Sequence, residues 1–251
     1  MDIAKASDLS RWSSLRYKIR RQGLNRFYNS WIDRFYAGKG TLLDIGCGDG
    51  NFISYMKDLG WNAFGVEADK DVIKNISEDL KARIKLVNAN LDEANFETES
   101  INVASLWNVF EHIPDSDVLL DAVKRILTKN GLLVLQVPNI ESLEARIFKM
   151  NWVHLDPPRH AHHFSINALS EILIKKNFKI KAITHFSPVD KSYRGSFEIF
   201  VRSKSPLEIN SYFFHNILYK VILDMIFIPL NIIGSILKKG TFITIACVNE
   251  K

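Results

Sequence analysis

The chain has 251 residues, 47% of them hydrophobic and 24% charged, enough to bury one sizeable core, so a single α/β domain with insertions is expected. Its two cysteines, Cys47 and Cys247, lie far apart, and the N-terminal stretch MDIAKASDLSRW has no apolar h-region. Both features argue against a secreted, disulfide-stapled chain with a cleaved signal, and a reduced cytoplasmic protein is expected. The formal charge of +5 is uneven, with nine basic side chains against three acidic ones in residues 1–40.

That basic stretch, with Trp12, Tyr17, Phe27, Tyr28 and Trp31, predicts a helical arm that either meets an anionic surface or caps the domain. Runs at 41–45, 62–66, 84–87, 101–107 and 131–137 are short, apolar and bounded by Gly, Asn or charge, the pattern of buried strands. Between them, 51–59, 70–80 and 115–128 read as helices, the last opened by Pro114-Asp115-Ser116 and stopped at Asn130-Gly131. After Pro138 come a helix, a Pro/His/aromatic loop over 151–164, a helix over 166–176 that Ser165 can cap, and strands near 178–186 and 242–248. Strand and helix in alternation predict a doubly wound, mostly parallel seven-stranded sheet spanning 41–251. An apolar helical insertion at 206–239 precedes the last strand.

At the end of the first strand stands Leu42-Leu43-Asp44-Ile45-Gly46-Cys47-Gly48-Asp49-Gly50. Glycine tolerates positive φ and has no Cβ, so Gly46, Gly48 and Gly50 allow a tight turn on which a ligand can rest. The spacing is GxGxG, without the third-glycine spacing of the dinucleotide fingerprint GxGxxG. Glu67 ends the second strand, where a carboxylate can accept both hydroxyls of a ribose. Asp44 would repel a pyrophosphate but suits a cation, so a nucleoside carrying positive charge is the expected ligand.

These residues, together with Leu106-Trp107-Asn108-Val109-Phe110-Glu111-His112-Ile113-Pro114, resemble the class I S-adenosylmethionine-dependent methyltransferases, and bacterial small-molecule and glycan enzymes among them. The resemblance covers roughly 40–186 and implies a Rossmann-like fold with S-adenosylmethionine as cofactor. It implies that Gly46, Gly48 and Gly50 cradle the methionine part, that Asp44 lies near its amino group, and that Glu67 holds the ribose. Asn90 falls where the family contacts adenine, although an acid is more usual there. Leu106, Trp107 and Asn108 would line the methionine side. His112 either faces substrate or orients the loop before the helix at 115.

Trp152-Val-His-Leu-Asp-Pro-Pro-Arg-His-Ala-His-His-Phe-Ser165 looks like the family's substrate-proximal loop. A general base is expected from its histidines, His163 first, then His160 and His162. No metal is expected, since the neighbours offer only Asp156 and no cysteine. Asp156-Pro157-Pro158 resembles a motif of nucleic-acid base methyltransferases, but it follows strand five and ends in Arg159, so no nucleic-acid partner is expected. The implied activity is O-methylation of a sugar or lipid-linked glycan hydroxyl in the cell envelope, with a quinone or other small aromatic or lipid acceptor as the alternative. A NAD-dependent oxidoreductase and a non-catalytic binding protein are the rivals from other classes.

Val221 to Leu237 is apolar but interrupted by Asp224, Pro229 and Asn231. If the strands flanking it are neighbours, a single membrane crossing is excluded. Two readings remain: helices packed on the domain or on a homodimer partner, or a monotopic patch at the inner face of the membrane, aided by the basic arm.

Overall fold

The computed structural model describes residues 3–74, 76–87, 90–185, 192–204 and 217–250, with side chains from Lys18 onward and, in the last segment, from Leu218. The elements in chain order are α1 (Ile3–Phe35), β1 (Thr41–Ile45), α2 (Asn51–Asp58), β2 (Asn62–Glu67), α3 (Glu78–Lys81), β3 (Ile84–Leu86) and β4 (Ile101–Trp107). Then follow α4 (Ser116–Ile126), β5 (Leu127–Pro138), α5 (Leu143–Phe148), α6 (Ile166–Lys175), β6 (Phe178–Thr184), α7 (Ser192–Lys204), α8 (Ile217–Ile236) and β7 (Phe242–Asn249). The seven strands lie in the order β3-β2-β1-β4-β5-β7-β6, and only β7 runs antiparallel to its neighbours.

The central strands are apolar on both faces because helices cover both. Strand alternation then assigns each side chain to a layer. Leu42, Val103, Leu132 and Val134 pack on one face with Tyr28, Trp31 and Ile32 of α1 and with Phe52, Ile53 and Met56 of α2. Leu43, Ala104, Leu106, Leu133 and Leu135 pack on the other with α4 and α6. From Tyr28 to Ile32, α1 is therefore part of the core. Its more N-terminal aromatics, Trp12 and Tyr17, have side chains outside the described residues.

Helix starts follow side-chain caps. Asp115 accepts from the Val118 amide (3.2 Å), Ser142 from Ala145 (3.0 Å) and Ser165 from Ala168 (3.2 Å). Three expectations are corrected. The helix placed at 70–80 is reduced to α3, since Asp69 takes the Asp71 amide (2.8 Å) and holds the start of the segment in a turn. Strand five begins at Leu127, which pairs with Ile101, and an irregularity in register precedes the Val103–Leu132 pair. The 221–237 run is helical without a break up to Ile236, as part of α8, with Pro229 inside it. The 206–216 part of the expected insertion, like Phe186 of the expected strand, lies outside the described residues.

Candidate active site

The turn from β1 into α2 has Gly46, Gly48 and Gly50 all at positive φ (72°, 55° and 71°). Their reasons differ. A Cβ at Gly46 would strike Val109, and one at Gly50 would strike Leu80, so these two glycines serve close packing within the protein. A Cβ at Gly48 meets nothing within 4 Å. Gly48 is the one whose bare backbone opens onto space, as a cradle for a ligand requires.

Two carboxylates flank this opening. Asp44 is buried and accepts from Ser105 Oγ (2.7 Å), its neighbour across the β1–β4 pairing. Burial pushes its carboxyl up to about 7, with the Ser105 hydrogen bond lowering it and the nearby Glu67 charge adding to the rise. A cationic ligand beside Asp44 favours its charged form. Glu67 accepts from the amides of Gly48 (2.7 Å), Ala68 (2.9 Å) and Asp69 (3.0 Å), which ties the second strand end to the cradle. A carboxylate has about four lone-pair sites, so Glu67 Oε2 keeps capacity for a hydroxyl. An open backbone at Gly48 with carboxylates at Asp44 and Glu67 suits a cationic nucleoside such as S-adenosylmethionine, and these three residues are the candidates to hold it.

Helix α1 closes one side of the site. Arg21 makes a two-pronged hydrogen-bonded ion pair with Asp49, Asn25 donates to Asn51 Oδ1 (2.9 Å), and the Tyr28 ring stacks on Trp107 at 3.8 Å. Trp107 thus forms a wall at the end of β4. Asn108 follows at positive φ (58°), its amide bonded to Gln136 O (2.9 Å). Leu106 is corrected: its side chain is fully buried in the α4 layer, because alternation turns it away from Trp107. Asn90 is exposed, and its Oδ1 takes the Asp92 amide (3.0 Å) to cap the 3-10 turn Leu91–Ala94. Its two neighbours Asn88 and Ala89 lie outside the described residues. Arg21, Asn25 and Tyr28 were missed by motif reading; their i, i+4, i+7 spacing on one helix face was the available signal.

The histidine loop is fastened to the segment after β4. The Glu111 carbonyl accepts from Ala161 N (2.9 Å) and His162 N (3.1 Å), and His112 Nδ1 meets Arg159 O (2.9 Å). The fastening brings His160 beside His112, their ring centroids 4.6 Å apart. Ligand atoms of Glu111, His112 and His160 all lie within 4.8 Å of one another. Because a carbonyl only accepts, the 2.7 Å contact to His154 O puts the His160 proton on Nδ1 and leaves the Nε2 lone pair without a hydrogen bond, 4.0 Å from Asp156 Oδ2. Burial lowers the His160 pKa and so keeps the ring neutral. His163, the first choice from sequence, is exposed and turns Nε2 to Leu155 O (3.1 Å), while His162 turns Nε2 to Pro114 O (3.0 Å). The geometry gathers the His160 ring, and neither of the other two rings, with the side chains of Glu111 and His112.

Glu111 is 2% exposed and its Oε2 has no hydrogen-bond partner. Burial drives its carboxyl up to about 8 from 4.5. Ionising it in the folded state is therefore uphill: the penalty is absent below pH 4.5, grows through the interval and is full above 8. Glu111→Gln is expected to melt like the wild type near pH 4.5 and higher than it above pH 8. The gain is on the order of 3–5 kcal/mol, or at least about 5 °C, read by differential scanning calorimetry. Equal melting temperatures at both pH values would show that the carboxyl is not ionised against burial.

Residues 17–183 match a family model described as a methyltransferase domain. A ubiquinone biosynthesis O-methyltransferase of Paraburkholderia phymatum is 27% identical over 177 residues, 65% of this chain and 75% of that one. A probable S-adenosylmethionine-dependent methyltransferase of Mycobacterium tuberculosis is 25% identical over 55% of this chain and 48% of its own length. Among solved structures, a SAM-dependent methyltransferase from Archaeoglobus fulgidus superposes with a TM-score of 0.61 at 20% identity, covering 91% of this chain and 94% of that one. A geranyl diphosphate C-methyltransferase from Streptomyces coelicolor does so at 0.57 and 16%, covering 88% and 78%. At these identities the structural likeness carries the fold.

Proposed function

The chain belongs to the methyltransferase-domain family and uses S-adenosylmethionine, and from that premise we propose that it methylates a phenolic hydroxyl on a small quinone-type acceptor. The observation that carries this reading is the His160 imidazole, its Nδ1 held by the His154 carbonyl, gathered with His112 and the buried Glu111. An imidazole of lowered pKa is a weak base. It takes a proton far more readily from a phenol, with a pKa of about 10, than from an alcohol nearer the ~15.7 of water. The sugar acceptor expected first from the sequence therefore ranks second. Relatives named ubiquinone biosynthesis O-methyltransferases support the same order.

Bound S-adenosylmethionine supplies a methyl already activated on a sulfonium. The chain supplies alignment and a place for the proton. Gly48, Asp44 and Glu67 fix the donor, and Tyr28 and Trp107 wall it from water. His160 Nε2 would take the acceptor's proton as the methyl passes from sulfur to oxygen, the C–S bond breaking as the C–O bond forms and S-adenosylhomocysteine leaving, and its Nδ1–H, held by His154 O, keeps the ring oriented.

The acceptor is tested by offering a catechol and a methyl glycoside to the purified protein with labelled S-adenosylmethionine. Label on the catechol and at least roughly tenfold less on the glycoside is expected; the reverse preference restores the glycan reading. A chelator arm separates proton relay from metal assistance at Glu111, His112 and His160. Unchanged turnover is expected, whereas loss restored by a divalent ion would assign the cluster to a cation.

A further inference from the structure

Helix α8 is amphipathic in the opposite sense to a helix lying on a soluble domain. Its inner face holds what polar chemistry it has: Asp224 receives Arg194 of α7 on both oxygens (2.9 Å each), and Ser235 donates to Asn231 O (2.9 Å) within the helix. Beside them Leu223 is buried, and Phe227 stacks on Tyr193 with centroids 5.6 Å apart and packs against Phe148 and Phe197. Asp224, which interrupts the apolar run in sequence, therefore serves as the anchor to the domain.

The outward face carries no charged or hydrogen-bonding side chain. Leu218, Ile222, Met225, Ile232, Ile233 and Ile236 are 45–74% exposed and recur at helical spacing over five turns. Only 11% of the Leu218–Ile236 window is buried, and its mean hydropathy is 1.6. Cations frame the stripe. Arg202 and Lys204 end α7, whose last turn lies near Tyr219, and exposed Lys238 follows the helix.

The length alone would suit a crossing, but the topology forbids one. Thr184 of β6 pairs with Thr244 of β7, so the chain leaves and returns at the same end of the sheet. The contacts with α5 and α7 also fasten α8 to the domain surface. A second copy of the chain is a poor fit. A stripe about 30 Å long and about 10 Å wide offers ~300 Å², against roughly 800 Å² per partner in a stable interface. A two-fold contact would also bring like-charged rims together.

We propose that α8 lies in the plane of an anionic membrane, its outward stripe in the interfacial layer and Arg202, Lys204 and Lys238 at the lipid headgroups. The proposal rests on α8 and its surroundings and stands whichever acceptor is methylated. It also has a consequence for the site: Ser196 of α7 accepts from Val153 N (2.9 Å), so the same surface is joined to the histidine loop and would bring it near lipid.

Flotation of the full-length protein with vesicles tests this. Vesicles of phosphatidylcholine plus phosphatidylglycerol are expected to carry the wild type at low salt, and pure phosphatidylcholine to carry much less. Ile222→Glu with Met225→Glu should remain in the soluble fraction while keeping its melting temperature and S-adenosylmethionine affinity. Lys204→Gln with Lys238→Gln should bind anionic vesicles roughly 30-fold more weakly, at about 1 kcal/mol per lysine. Three results would overturn the proposal: a wild type that never floats, a glutamate pair that floats unchanged, or a wild-type dimer that the glutamate pair splits, which would assign the stripe to a second copy.

Discussion

Gly48→Val is expected to lower S-adenosylmethionine affinity by roughly a hundredfold or more while the sheet stays folded. Two effects add. A β-branched residue at a φ of 55° is a backbone outlier, so the turn shifts. Its methyls also fill the space over the backbone, where no protein atom lies within 4 Å of a Cβ. Gly60→Val is the control, since Gly60 also has positive φ (88°) and an open Cβ direction but lies at the far end of α2. It should lose stability without losing affinity. Glu67→Ala should cost at least roughly tenfold by calorimetry, as a charged hydrogen bond contributes about 1.5–3 kcal/mol. Normal binding by Gly48→Val would remove the cradle from the cofactor site.

The fold was legible because its signals are local. Strands buried on both faces read as short apolar runs, and the Asp115 and Ser165 caps mark two helix starts within one turn. The positions of Asp44, the glycine turn and Glu67 at consecutive strand ends were legible for the same reason. What depended on which way a side chain turns was not. Leu106 and Trp107 are adjacent, yet the first enters the core and the second meets Tyr28, a contact 79 residues apart in sequence that no motif contains. The histidines sit in a segment of 3-10 turns and loop with no period to follow. The Glu111 carbonyl, reaching across to Ala161 and His162, and the His112 contact to Arg159 O bring His160 to the site. In α8, Asp224 looks like an interruption until the helix is seen to face it inward onto Arg194.

His160→Ala should slow methyl transfer by about 10²–10⁴-fold, the range for a lost general base, without changing S-adenosylmethionine affinity. The size follows from position: His160 is the only one of the three candidate histidines gathered with Glu111 and His112, and its Nε2 is the free basic atom. His162→Ala and His163→Ala should retain most activity, since neither ring is gathered with Glu111 and His112. The pH dependence has a defined sign. Burial lowers the His160 pKa, so the acid limb of the wild-type rate should fall below about 6.5, with the rate rising through it and then level. The direct measurement is single-turnover transfer of labelled methyl to a catechol by the wild type and by His160→Ala, across that pH range. A large loss in the variant, with the acid limb abolished and added imidazole restoring part of the rate, is the predicted result; a variant that transfers at the wild-type rate with the limb intact would contradict the account.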